Sequence, residues 1–124
     1  MLREQFLNSV HIISVDREAL KNVLQRGVTL LLKDHETVKE VRLFGSFARG
    51  DYTPESDLDL LIICRIMETP FLLRREIFEP YFRDIPFDVN LLVYTEAELE
   101  RLLEEKNPFI VHVLKESIVL GSRE

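Results

Sequence analysis

The sequence predicts an α/β (α+β) domain in which a small sheet is covered mainly by helices. Three observations carry that prediction. Strand-like runs of aliphatic and β-branched residues fall at 38–44, 57–64 and 86–94. An amphipathic helical stripe precedes the first run, and capped helical stretches follow the last. Turn residues separate the runs, so the order is helix, strand, short helix, strand, helix, strand, helix. The 124 residues are read as a single domain, 1–124.

Each element has its own justification. Residues 1–14 are read as a short helix or an extended arm. Asp16 is placed as a helix N-cap, followed by Leu20, Val23, Leu24, Val28, Leu31 and Leu32 at helical spacing, which predicts a helix over 17–34. Gly27 falls on that stripe and permits a close contact there. In "TVKEVRLFG", Val38, Glu40, Arg42 and Phe44 alternate against Lys39, Val41 and Leu43, a strand over 38–44 that Gly45 ends. "SFARG" suits one short helical turn, and "DYTPES" is turn chemistry around Pro54. "DLDLLIIC" is a second strand, 57–64. Residues 70–82 carry a helical apolar set whose end Pro80 disturbs. "PFDVNLLVYT" is a third strand, 86–94. Thr95 with Glu98 three residues on is a capping box for "EAELERLLEEK". Asn107-Pro108 starts another helix, whose Phe109, Ile110 and Val113 serve the core or an interface, and "IVLG" closes the chain as a short strand.

Composition excludes several functions. The net charge of −6 argues against a dedicated nucleic-acid binder, which needs a basic face. No apolar run reaches the ~18 residues that span a bilayer, and "MLREQFLNSV" has no signal-peptide pattern. Cys64 is the single cysteine, read as a buried strand end; a chain without an internal disulfide fits the cytoplasm. His11, His35 and His112 have no ligand spacing and are read as surface or packing residues. Phe47 and Tyr52 are read as packing the turn between the first two strands.

The chemistry lies in "LFGSFARGDYTPESDLDLLIIC", residues 43–64. Strand alternation puts Asp57 and Asp59 on one face, roughly 7 Å apart along the backbone, with Leu58, Leu60 and Ile62 on the other. Two like charges repel, and a divalent cation between them removes the problem. Oxygen-only ligands point to Mg²⁺ or Mn²⁺ rather than zinc. A bare Asp-x-Asp is also compatible with a half-exposed strand start. In "PFDVNLLVY" Asp88 and Asn90 share a face opposite Phe87, Val89, Leu91 and Val93. If this strand neighbours 57–64, Asp88 stands beside the pair. Three carboxylates with two metal ions form a clamp for phosphoryl or nucleotidyl transfer, and Asp88 is placed to take a proton from an attacking hydroxyl. Gly45 lets a ligand approach the backbone closely, Ser46 opens a helical turn with free N–H groups, and Arg49 offers a planar fork to phosphate. "GSFARG" lacks the Lys-Ser/Thr ending of a P-loop, so a Walker-type NTPase is not supported.

Taken together, "GS", ten residues, then "DLD" resembles the signature of the DNA polymerase β-like nucleotidyltransferase superfamily. "GSFARGDYTPESDLDLLI" is similar in particular to the minimal nucleotidyltransferases (MNT), over roughly residues 17–120. The resemblance implies a mixed sheet flanked by helices. It implies that Gly45 and Ser46 bind the triphosphate of ATP or another nucleoside triphosphate, with Arg49 beside the phosphates. It implies two Mg²⁺ on Asp57 and Asp59, with Asp88 binding the catalytic metal. It also implies a HEPN-domain toxin as partner, neutralised by transfer of AMP onto it. Two other readings stand beside transfer: an antitoxin that acts by contact alone, and a nucleotide sensor. The sequence leaves the acceptor, the base and the oligomeric state open, a homo-oligomer included.

Overall fold

The structure, a computed structural model, describes residues 2–7, 10–15 and 17–123, with side chains described from Arg17 onward. The chain opens with two antiparallel strands, β1 (Leu2–Leu7) and β2 (Val10–Val15), where a short helix or an arm was expected. The N-cap expected at Asp16 lies outside the described residues. Helix α1 (Arg17–Asp34) buries Leu20, Leu24, Gly27, Val28 and Leu31, the stripe that its apolar periodicity predicts.

The main sheet has the order β5-β4-β3-β6, made by β3 (Val38–Phe44), β4 (Leu58–Cys64), β5 (Val89–Thr95) and β6 (Ile118–Ser122). β3 runs antiparallel to β4 and to β6, while β4 and β5 are parallel. The sheet is therefore mixed. Helix α2 (Ser46–Arg49) lies between β3 and β4. On one face, Val41, Leu43, Leu58, Leu60 and Ile62 pack under α1 and under Phe78, Phe82 and Phe87. On the other, Phe44, Leu61 and Ile63 pack under Leu99 of α4 (Glu96–Glu104) and Ile110 and Val113 of α5 (Pro108–Glu116). Cys64 is fully buried at the end of β4, and burial pushes its thiol up to about 11.

Two expectations need correction. Strict alternation groups Val38 with Phe44, yet Val38 packs with Val41 and Leu43. A register shift between Val38 and Glu40 is the reason, because one extra residue reverses the parity of a strand. The helix expected over 70–82 is three short pieces: 3₁₀ turns at Phe71–Leu73 and Glu79–Phe82 flank α3 (Arg75–Phe78). Pro80 removes a backbone donor at the second turn. Arg74 sets the first break. It is 5% exposed and donates to the Thr69 and Val93 carbonyls and to both carboxylate oxygens of Glu98. That anchorage turns the chain inward there and leaves Leu72 82% exposed.

The caps hold. Thr95 Oγ1 accepts from the Glu98 N–H at 3.1 Å, and Glu98 Oε1 accepts from the Thr95 N–H at 2.8 Å. Asn107 Oδ1 accepts from the Ile110 N–H at 3.1 Å, which starts α5 at Pro108. No helix among the described residues is long and apolar enough to cross a membrane.

Candidate active site

Three adjacent structures meet at one end of the sheet: the end of β3, the start of β4 and the last turns of α5. The antiparallel register sets Phe44 opposite Asp59, so Gly45, next along, turns beside the Asp59 side chain. Gly45 has φ 75 and ψ −156, a region essentially confined to glycine. A Cβ there would stand 2.2 Å from Asp59 Oδ2. Glycine is thus required twice, by conformation and by the carboxylate against it.

Ser46 begins α2. The Ala48 and Arg49 N–H groups donate back to the Gly45 carbonyl, and Gly50, in the left-handed conformation, closes the turn onto the Ser46 carbonyl. The Ser46 hydroxyl and the Ser46 and Phe47 N–H groups have no protein partner among the described residues, as the first donors of a helical turn require. The return loop is stabilised by Thr53 and Ser56, and Phe47 and Tyr52 stack at 4.4 Å beneath it, in the packing role expected of them.

Asp57 is exposed and Asp59 is half-buried, both on the face that also carries Leu61. β5 runs parallel alongside, with Leu58 paired to Val89 and Asp59 to Asn90. Asn90 Nδ2 donates to Asp57 Oδ2 at 3.3 Å and to Asp59 Oδ1 at 3.0 Å. The amide lies across the two carboxylates and relieves their repulsion. Asp88 sits one pair further out, its carbonyl accepting from the Leu58 N–H at 2.8 Å. It lines an adjoining hollow with Asp57, Asn90, Arg75 and Arg83, whereas Gly45, Ser46, Arg49, Asp57 and Asp59 share the main hollow of about 470 Å³. Among the described residues no group of three carboxylate, histidine or cysteine side chains is gathered as a metal cage. Asp57 and Asp59 are an oxygen-only pair on one face, bridged by a single neutral donor. That donor set fits a hard divalent cation, with Asp88 on the same strand face but outside the pair.

α5 supplies a wall that the sequence did not reveal. Phe109, His112, Val113 and Glu116 line the main hollow at helical spacing. Glu116 Oε1 accepts from the Gly45 N–H at 3.0 Å, and Oε2 meets Arg49 Nη1 at 3.1 Å and His112 Nε2 at 3.2 Å. Burial pushes the Glu116 carboxyl up, but the Gly45 N–H and the Arg49 guanidinium outweigh it and hold it below the usual range. Arg49 is raised in turn by its bonds to Glu116 and Asp51. The signal in the sequence was an acidic residue closing an apolar helical stripe. His112, read as a surface or packing residue, stands at the rim of this hollow. Phe109 is 53% exposed at its mouth, edge-on to Phe44, while Ile110 and Val113 belong to the core.

This arrangement can hold an anionic chain along Ser46 and Arg49 and a cation at the aspartates beside it. Several known proteins are similar to the chain. A family model described as a nucleotidyltransferase domain matches residues 26–120. A Methanocaldococcus jannaschii protein named a "putative protein adenylyltransferase" is 30% identical over 101 residues, 81% of this chain and 92% of its own. A Sulfolobus solfataricus crystal structure named a "putative nucleotidyltransferase" superposes with a TM-score of 0.61 at 25% identity, over 86% of this chain and 83% of that one. A tri-AMPylated Shewanella oneidensis HEPN toxin in complex with an MNT antitoxin includes a chain of the same fold, with a TM-score of 0.54 at 16% identity over 87% of this chain and 74% of that one. With the matched segment spanning every element from within α1 to β6, and the cradle and carboxylate pair inside it, the chain belongs to the nucleotidyltransferase domain family.

Proposed function

We propose that this protein transfers AMP from ATP to a hydroxyl of a partner protein, a HEPN-type toxin, and so acts as its antitoxin. The observation that carries the proposal is the contact across the β3–β4 register, where the Asp59 carboxylate packs against Gly45 at the foot of the phosphate cradle. A triphosphate laid along the cradle has its α-phosphate beside the carboxylates. Ser46, the first N–H groups of α2 and Arg49 hold the β- and γ-phosphates, which become the leaving pyrophosphate. The acceptor oxygen forms a bond to the α-phosphorus as the bond to the bridging oxygen of the β-phosphate breaks, and pyrophosphate leaves with that electron pair. The attacking and leaving oxygens lie roughly in line, so the acceptor enters from the side away from the cradle. Asp88 lines the hollow that adjoins this one through Asp57 and Asn90, and it would take the hydroxyl proton of an acceptor bound there. Asp57 and Asp59, with help from Asp88, would hold two Mg²⁺ ions, or Mn²⁺, which when bound supply charge neutralisation to the phosphates.

The names of the M. jannaschii relative and of the HEPN–MNT complex support a protein acceptor and a HEPN partner for this chain. The test uses ATP labelled at the α-phosphate, Mg²⁺, purified protein and host lysate, with Asp57→Asn/Asp59→Asn as control. Label on a protein band with wild type and not with the double variant is the expected result. Nucleotide binding by wild type without any labelled protein would replace this reading with a contact antitoxin or a nucleotide sensor. The position of Asp88 outside the aspartate pair is the observation that favours that second reading.

A further inference from the structure

We infer that Glu116 is a positioning residue for the triphosphate: it fixes the Gly-Ser turn and aims the Arg49 guanidinium into the hollow. The inference rests on the reading of that hollow as the nucleotide site. Glu116 is the last residue of α5, where the helix dipole disfavours a carboxylate. Its side chain is only 12% exposed, and it faces a hollow suited to an anion. Helix stability and charge both oppose a glutamate here, so its bonds must hold it. One oxygen takes the Gly45 N–H and the other takes Arg49 Nη1. Asp51 takes Arg49 Nε at 3.2 Å. The guanidinium is thereby held along two edges, and Nη2 is left without a partner among the described residues. The Ser46 hydroxyl and the first two N–H groups of α2 are left open as well. Glu116 therefore engages the donors behind the cradle and leaves those in front of it to phosphate.

The consequence is a coupling between Glu116 and Arg49 in nucleotide affinity. Removing a negative charge beside a polyanion would, on charge alone, tighten binding. The positioning role predicts the opposite sign. Isothermal titration with ATP and Mg²⁺ on wild type, Glu116→Gln, Arg49→Ala and the double variant separates the two. Glu116→Gln keeps an acceptor for the Gly45 N–H and loses the ionic hold on Arg49. It should weaken binding about fivefold, on the scale of a lost charge-assisted bond. Combined with Arg49→Ala it should add almost nothing to the loss that Arg49→Ala causes alone. Melting temperatures report folding, and if Glu116→Gln does not fold, Glu116→Asp carries the same test by withdrawing the carboxylate from Arg49. Wild-type affinity or tighter binding in Glu116→Gln overturns the inference, as does full additivity with Arg49→Ala. If wild type itself binds no nucleotide, the reading of the hollow fails first and this inference falls with it.

Discussion

Gly45→Ala is the sharpest perturbation that the site offers, because its cost divides into backbone and contact parts. At φ 75 and ψ −156 a residue with a Cβ is strained by about 1–3 kcal/mol. The added methyl would also stand 2.2 Å from Asp59 Oδ2 and 3.1 Å from its Cγ. Asp59 must then swing away, which breaks the 3.0 Å bond from Asn90 at about 1 kcal/mol. The total is about 2–4 kcal/mol, a large share of the ~5–15 kcal/mol that holds a domain folded. Gly50→Ala is the matched control. Gly50 also has positive φ, 86, but a Cβ there meets nothing within 4 Å, so only a backbone cost of about 1–2 kcal/mol applies. Urea denaturation gives both stabilities, and titration with ATP and Mg²⁺ gives both affinities. Gly45→Ala should lose at least about 1 kcal/mol more than Gly50→Ala and should bind nucleotide far more weakly, because Asp59 is displaced. Equal destabilisation with unchanged affinity would show that Asp59 does not depend on the glycine, and the account of the site would fail at its centre.

Two further tests address the scaffold. The Arg74 guanidinium, against the pull of burial and with help from the Thr95 N–H, holds the Glu98 carboxyl down to about 2. A depressed carboxylate stabilises the fold above its unfolded value, near 4.5, and that contribution disappears as pH falls toward 2. Allowing for 29% exposure of the Glu98 side chain, it is worth about 2 kcal/mol at neutral pH. The stability gap between wild type and Glu98→Gln, measured by urea denaturation, should therefore close between pH 4.5 and 2; a gap independent of pH would refute the pairing. In α1, a Cβ on Gly27 would stand 2.5 Å from the Tyr81 carbonyl oxygen and 3.2 Å from the Phe82 ring. Gly27→Ala gains about 1 kcal/mol of helix propensity but overpacks by about 1–3. A net loss near 1 kcal/mol is expected from thermal melts, and a clear gain would mean that α1 does not approach the 79–82 turn so closely.

The parts of this molecule that could be read from sequence are those decided by neighbours along the chain. β3, α2, β4 and the Thr95 cap follow from alternation, turn residues and a four-residue box, and all appear within a residue or two of their expected bounds. The Gly-Ser turn and the aspartate pair are legible for the same reason, since one short loop joins them. What could not be read depends on distant partners. Arg74 breaks the expected helix because β5 and α4 offer it acceptors 19 and 24 residues away. The shifted parity of Val38 depends on a register with β4 that no local pattern states. Glu116 reaches Gly45 across 71 residues, and an acidic residue closing an apolar helical stripe does not by itself say which distant backbone group it will meet. Asp88 shows the limit most clearly. Its face was legible, but its placement outside the aspartate pair follows only from the β4–β5 register, which sets Asn90 rather than Asp88 against Asp59.

That register also explains how an aliphatic strand tolerates two aspartates. Leu58, Leu60 and Ile62 are fully buried under α1 and the α3 region along the whole of β4. The opposite face is covered by apolar residues only as far as Leu61, where Ile110 and Val113 of α5 still lie over it. One turn later α5 presents Glu116 instead, and the cover gives way to the hollow. Asp59 and Asp57 fall just beyond that boundary, half-buried and exposed, with the Asn90 amide across them. Their charges are therefore kept out of the core rather than neutralised within it. The carboxylates repel each other, and an asparagine at either position keeps an acceptor oxygen for the Asn90 amide, so Asp57→Asn/Asp59→Asn should melt no lower than wild type. If the double variant instead lost several kcal/mol, the aspartates would be part of the scaffold, and loss of transfer in that variant would no longer report on chemistry.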